Sequence, residues 1–129
     1  MRWLAIGVIC LVARQAGAVE LRSPGIEPTE LQTRMSADQP PLVIDVRSPT
    51  EYASGHIPGA VNIPAPTVTK NLDAIRRADE VVLYCNDRRF TALAERLLSK
   101  DKVTGFSHLE GGLTAWREQN LPLATAVPE

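Results

Sequence analysis

The sequence predicts an α/β fold in which a parallel sheet is built from strands alternating with helical crossovers. Three stretches predict it. Val81–Tyr84 is apolar and mostly β-branched, the pattern of a short strand buried on both faces. Soon after it, Leu93, Ala94, Leu97 and Leu98 recur at helical spacing and leave Glu95 and Arg96 for solvent. A second compact apolar run, 42–46, is interrupted only by Asp45 at its carboxyl end and is followed at once by a helix-start signal.

From the beginning of the chain, residues 1–18 read as an export signal and not as part of the fold. Arg2 supplies a minimal positive segment, and the apolar run 3–13 is too short to span a bilayer comfortably. Ala16-Gly17-Ala18 offers small residues at the positions a signal peptidase reads, which places cleavage before Val19. Arg14 intrudes near the end of the apolar run, and an uncleaved anchoring segment is the alternative. Val8-Ile9 lacks the small residue that a lipoprotein site at Cys10 requires. The mature protein is therefore expected in the periplasm or outside the cell, with no stable membrane insertion after cleavage.

Cleavage changes the charge. The whole chain carries 14 basic and 15 acidic residues, and removal of Arg2 and Arg14 leaves 12 basic residues and a net charge of −3. No basic stripe is available to neutralise phosphates, which argues against a nucleic-acid partner. Cleavage also removes Cys10, so Cys85 has no intramolecular partner. In an oxidising compartment an unpaired cysteine points to a reactive thiol or an intermolecular bond, with a buried structural cysteine as the plain alternative.

The remaining residues suit one small domain, with 19–25 as a lead-in and 26–126 as the domain itself. Pro24-Gly25 is a turn signal. Pro28 suits a first helical position, Leu31 and Met35 give that helix an apolar face, and Pro40-Pro41 stops it. After the strand at 42–46, Ser48-Pro49-Thr50-Glu51 forms a capping box and Gly55 ends a single-turn helix. His56-Ile57-Pro58-Gly59 is a tight connection into a brief strand at 60–63. Residues 72–75 lie on a helix. Beyond the central strand and its helix, Gly105-Phe106 precedes a strand near 107–109, and Gly111-Gly112 leads into a last helix containing Trp116.

Cys85 is the first residue of the polar loop between the strand Val81–Tyr84 and the following helix. In an α/β sheet that position faces the crevice where ligands bind. The first N–H groups of a helix beginning near Thr91 point there unpaired, carrying partial positive charge. A thiol so placed is expected to ionise more readily than a free cysteine, whose pKa is about 8.5. Cys85 is the expected nucleophile.

The chain also resembles a known family. Asp45-Val46-Arg47, Glu51-Tyr52 and the run Gly55-His56-Ile57-Pro58-Gly59-Ala60-Val61-Asn62-Ile63-Pro64 look like the first signature of the rhodaneses. Tyr84-Cys85 stands where that family places its catalytic cysteine, and Leu109-Glu110-Gly111-Gly112 followed by Trp116 is similar to its closing signature. The three blocks fall in family order and cover most of the mature chain, which resembles an exported single-domain rhodanese of the thiosulfate sulfurtransferase type. The resemblance implies a five-stranded, mainly parallel sheet flanked by helices. It implies sulfurtransferase chemistry without a cofactor, in which a cysteine persulfide takes sulfane sulfur from a small anionic donor such as thiosulfate and passes it to cyanide or a thiol.

The loop departs from the commonest family pattern. Arg88 stands where most members have Gly, and Phe90 where most have Arg. Arg89 is the expected anion contact, Arg88 the second candidate, with Asn86, Phe90 and Thr91 completing the substrate-binding set around Cys85. If the loop curls with φ > 0 at one residue, Arg88 is strained where Gly is not, and Arg88→Gly is expected to be harmless or to raise activity. Asp87 would repel an anionic substrate, so its side chain is expected to face outward. Arg47 and Glu51, four apart, are expected to pair. Asp45 is expected to bond nearby backbone N–H groups. His56 reads as a structural residue of its tight connection, with a base for Cys85 as the alternative. His56, His108 and Cys85 offer no metal-ligand spacing, so no metal is expected. Tyr52 and Trp116 read as packing residues.

Two rivals remain. A phosphatase or arsenate reductase of related fold needs a loop one residue longer, ending in Arg six positions after the cysteine. Thr91 holds that position, and Tyr84 replaces the His usual before the cysteine. The second rival is a catalytically silent rhodanese module used for binding or sulfur carriage, which Arg88 in place of Gly keeps open.

Overall fold

The computed structural model of the chain describes residues 23–126. The export signal expected at 1–18, its cleavage point before Val19 and the lead-in as far as residue 22 lie outside the described residues. In chain order the elements are β1 (Gly25–Ile26), α1 (Pro28–Met35), β2 (Leu42–Asp45), α2 (Pro49–Ser54) and β3 (Val61–Asn62). A 3₁₀ segment (Ala65–Asn71) runs into α3 (Leu72–Arg77), followed by β4 (Val81–Tyr84), α4 (Arg89–Lys100), β5 (Phe106–Leu109) and α5 (Gly112–Glu118). The five strands form one sheet in the order β1-β5-β4-β2-β3. Every neighbouring pair is parallel, so the sheet expected to be mainly parallel is wholly so.

The central strand organises the two cores. All four residues of β4 are buried, because helices cover both faces of a parallel sheet. Successive side chains point to opposite faces. Val81 and Leu83 enter a core with Val68, Ile75, Ala94 and Leu98. Val82 and Tyr84 enter the other, with Leu31, Leu113 and Trp116. Cys85 continues the alternation past the end of the strand, and its side chain joins the first core beneath α4.

Where the structure differs from the sequence reading, the reasons are local. Gly25, expected in a turn, is paired with His108 on β5, and Ile26 with Leu109. A strand of two residues is too short to show a period. Helix α4 begins at Arg89, two residues before the expected start near Thr91, and Arg88 occupies its cap position. The capping box on α2 is present: Ser48 Oγ accepts from the Glu51 N–H, and the Glu51 carboxylate accepts from the Ser48 N–H.

Candidate active site at the end of the central strand

Cys85 is completely buried and is a free cysteine. Its loop is held from behind by α5. The carbonyl of Cys85 accepts the Leu113 N–H at 2.8 Å, and that of Asn86 accepts the Thr114 N–H at 3.3 Å and the Thr114 hydroxyl at 2.9 Å. The first turn of α5 thus satisfies its own unpaired donors with the loop's carbonyls. Only glycine permits this approach at Gly112. Its φ is +61°, and a Cβ there would lie 2.6 Å from the carbonyl oxygens of both Cys85 and Asn86.

The thiol faces a polar surround. Sγ donates to the Asp87 carbonyl at 3.1 Å and lies 3.9 Å from Asp87 Oδ1 and 3.9 Å from Thr91 Oγ1. Asp87 is exposed, as expected, but its carboxylate bends toward the start of α4, where Oδ1 accepts the Arg89 N–H at 2.8 Å. The physical reason is the start of α4, whose unpaired N–H groups attract a carboxylate. Bonds from the backbone N–H groups of Arg89 and Arg88 hold the Asp87 carboxyl below its ordinary value. Among the described residues the N–H groups of Phe90 and Thr91 have no acceptor. Thr91 is buried, and its hydroxyl donates to the Arg88 carbonyl at 2.9 Å.

The two loop arginines differ. Arg88 has φ −122° and ψ −10°, outside the left-handed region, so the strain expected there is absent. Its guanidinium is engaged by Glu95, Nη1 to Oε1 at 2.7 Å and Nη2 to Oε2 at 3.1 Å. Glu95, which the helical spacing places toward solvent, is 1% exposed. Its Oε1 also accepts the Ser23 hydroxyl at 2.6 Å, and that hydroxyl lies 2.8 Å from His108 Nδ1. His108 Nε2 in turn lies 2.9 Å from Glu110 Oε1. Arg89 is exposed, and its side chain has no hydrogen bond or ion pair among the described residues. Phe90, at the start of the helix, is 42% exposed.

On the other flank, Asp45 and Arg47 form a buried pair. Arg47 Nη2 lies 2.7 Å from Asp45 Oδ2, Nε lies 3.0 Å from Oδ1, and the Arg47 N–H donates to Oδ1 at 2.9 Å. Asp45 therefore takes the expected backbone bond, but Arg47 pairs with Asp45 and not with Glu51. Burial works against the Arg47 charge, and the hydrogen bonds and field of Asp45 outweigh it, raising the guanidinium above its ordinary value. Arg47 also reaches the Gly55 carbonyl at 2.7 Å and Asn86 Oδ1 at 3.3 Å. Asn86 Nδ2 donates to Glu51 Oε1 at 3.2 Å, so the Asn86 side chain ties the loop to α2. Beneath the pair, Tyr84 accepts the Ile57 N–H on its hydroxyl at 3.0 Å, and burial pushes its phenol up.

His56 is held by its own connection. Nδ1 lies 2.8 Å from the Tyr52 carbonyl, the ring stacks on Tyr52 at 3.7 Å, and its backbone bridges to Ala124. Tyr52 donates its hydroxyl to the Ala60 carbonyl at 2.7 Å, and buried Trp116 donates Nε1–H to the Pro122 carbonyl at 2.7 Å.

Set beside known proteins, residues 27–119 match the rhodanese-like domain. The chain is 29% identical over 98 residues to a sulfurtransferase of Allochromatium vinosum, covering 76% of this chain and 92% of that protein. It is 33% identical over 116 residues to an HTH-type transcriptional regulator of Mycobacterium tuberculosis, covering 88% of this chain but spanning only 51% of the regulator. Among solved structures, a thiosulfate sulfurtransferase from Pseudomonas aeruginosa superposes with a TM-score of 0.68 at 26% identity, over 81% of this chain and 20% of that one.

Proposed function

The chain belongs to the rhodanese-like domain family, and on that premise we propose that it is a sulfurtransferase working through a persulfide on Cys85. One observation carries the reading. Cys85 is the free, buried cysteine that directly follows the central strand, its Sγ 3.9 Å from Thr91 Oγ1 at the start of α4, where among the described residues the N–H groups of Phe90 and Thr91 have no acceptor.

The chemistry needs little else. The Cys85 thiol loses its proton to solvent, and the thiolate attacks the sulfane sulfur of the donor. With thiosulfate, a new S–S bond forms on Sγ, the old one breaks, and sulfite leaves with the electron pair. Cyanide or a thiolate then attacks the outer sulfur of the persulfide and returns the Cys85 thiolate. Both the donor and the departing sulfite are anions, and helix N–H groups with one guanidinium stabilise developing negative charge. No cofactor enters either step. Export belongs to the same proposal: N-terminal sequencing from a periplasmic extract should begin Val-Glu-Leu-Arg, and intact Met1 in the soluble cytoplasmic fraction would overturn it.

A second reading, a module that carries sulfane sulfur without turning over, is favoured by the complete burial of the thiol. Mass spectrometry after thiosulfate separates the two. Gain of one sulfur atom on Cys85, lost on adding cyanide as thiocyanate is released, supports the enzyme. A stable persulfide with no release supports the carrier. No added sulfur, with Cys85→Ser as the blank, would remove both.

A further inference from the structure

Asp87 puts a full negative charge at the place where an anionic donor must arrive. Its Oδ1 is 3.9 Å from Sγ, its carbonyl holds the thiol proton at 3.1 Å, and the same Oδ1 occupies the Arg89 N–H at 2.8 Å. That N–H is one of three at the start of α4, and the other two, on Phe90 and Thr91, are the ones left open. The carboxylate is ionised under ordinary conditions, held so by the backbone N–H of Arg89.

We propose that Asp87 is a specificity-determining residue that disfavours dianionic sulfur donors at Cys85 relative to neutral ones. The proposal rests on the sulfurtransferase reading. A thiosulfate ion whose sulfane sulfur approaches Sγ carries its sulfonate into the few ångströms that the Asp87 carboxylate already fills, and like charges at such range repel. An uncharged persulfide, R–S–SH, meets no such opposition. In that reaction the Cys85 thiolate forms a bond to the outer sulfur, the R–S bond to that sulfur breaks, RS⁻ leaves with the electron pair, and the outer sulfur keeps its proton. Asp87 and Arg89 are both exposed and both screened by water, but Asp87 is the one whose side chain reaches the thiol, Oδ1 lying 3.9 Å from Sγ.

The test compares two donors on the full mature protein, thiosulfate and a small alkyl persulfide generated in the assay. Both are used at mildly acidic pH, where the persulfide, more acidic than a thiol, keeps its proton and Asp87 remains ionised. Asp87→Asn and Asp87→Ser both remove the charge while leaving an acceptor for the Arg89 N–H. Each should raise the rate of Cys85 persulfide formation from thiosulfate by about tenfold at low salt. The rate from the neutral persulfide should change less than twofold, and added salt should shrink the gap between variant and wild type by screening it. A parallel change with both donors would show a structural role for Asp87 and overturn the proposal, as would an unmoved donor ratio. Labelling of the wild type by neither donor would instead overturn the sulfurtransferase reading and the proposal with it.

Discussion

Two arginine–carboxylate pairs flank the Cys85 loop, and they are built differently. In the Asp45–Arg47 pair the side chains are 0% and 2% exposed. In the Glu95–Arg88 pair the Glu95 side chain is 2% exposed but the Arg88 side chain is 35% exposed. The first is closed: the guanidinium contacts Asp45, the Gly55 carbonyl and Asn86, and neither charge can reach water if the other is removed. The second is half open, with a carboxylate that has nowhere to turn and an arginine that does. The difference teaches which partner each pair depends on. Where both are buried, loss of either strands a charge; where one is exposed, only loss of the exposed one does.

The largest effect should come from breaking the closed pair. Arg47→Met leaves Asp45 buried without its cation, and should lower unfolding free energy in urea by about 3–5 kcal/mol, with Asp45→Asn of comparable size. A loss below about 1 kcal/mol, the range of exposed pairs, would mean that the closed pair behaves as a surface one.

That closed pair was only half legible in the sequence. Local patterns identified the central strand, the capping box and the loop cysteine, because each is written in neighbouring residues. The i,i+4 spacing pairs Arg47 with Glu51, but Arg47 precedes α2, so helical spacing does not apply to it. The chain bends directly after β2 and brings Asp45 nearer. Helical spacing puts Glu95 toward solvent, where a charged residue on an amphipathic helix usually lies. A usable signal existed, since Thr91, Glu95 and Leu98 lie on one helical stripe and all three are buried. What covers Glu95 is non-local, Ser23 and His108 from distant parts of the chain, and no pattern within the helix announces them.

The half-open pair should respond unequally. Arg88→Ala strands the Glu95 carboxylate and should cost about 2–3 kcal/mol of stability, leaving only the Ser23 hydroxyl bond. Glu95→Gln keeps a hydrogen-bonding side chain in place and lets Arg88 turn to water, for a loss nearer 1 kcal/mol. Arg88→Gly, expected from the sequence to be harmless, should instead destabilise, because the backbone at Arg88 needs no glycine and Glu95 needs its cation. Equal losses for Arg88→Ala and Glu95→Gln in the same urea titration would erase the distinction between the pairs.

A smaller effect lies at Glu51, which joins the closed flank to the loop. The backbone N–H of Ser48, then its hydroxyl, hold the Glu51 carboxyl below its ordinary value of 4.5, against a weak opposing effect of burial. A depressed carboxyl contributes stability that is fully present above the unfolded value and lost as pH falls through the folded one. The difference in stability between wild type and Glu51→Gln should therefore be constant above about pH 5 and close as the solution is acidified below it. A gap that widens on acidification would show that the capping box is not the source.

Arg89 ends the series as an exposed arginine whose side chain has no partner among the described residues, and its removal should leave folding almost unchanged. Surface charges of this kind contribute little to stability, because water already solvates them and no buried acid depends on them. Its effect belongs to the reaction. If the guanidinium meets the donor anion, Arg89→Ala removes a charge-assisted contact worth about 1.5–3 kcal/mol, roughly ten- to a hundredfold in kcat/KM for thiosulfate. Arg88→Ala, measured well below its unfolding transition, should change kcat/KM much less, since its guanidinium is engaged by Glu95. The two variants thus invert: one loses stability and keeps activity, the other keeps stability and loses activity. A loss of activity in Arg88→Ala matching that of Arg89→Ala would mean that Arg88 leaves Glu95 to meet the substrate.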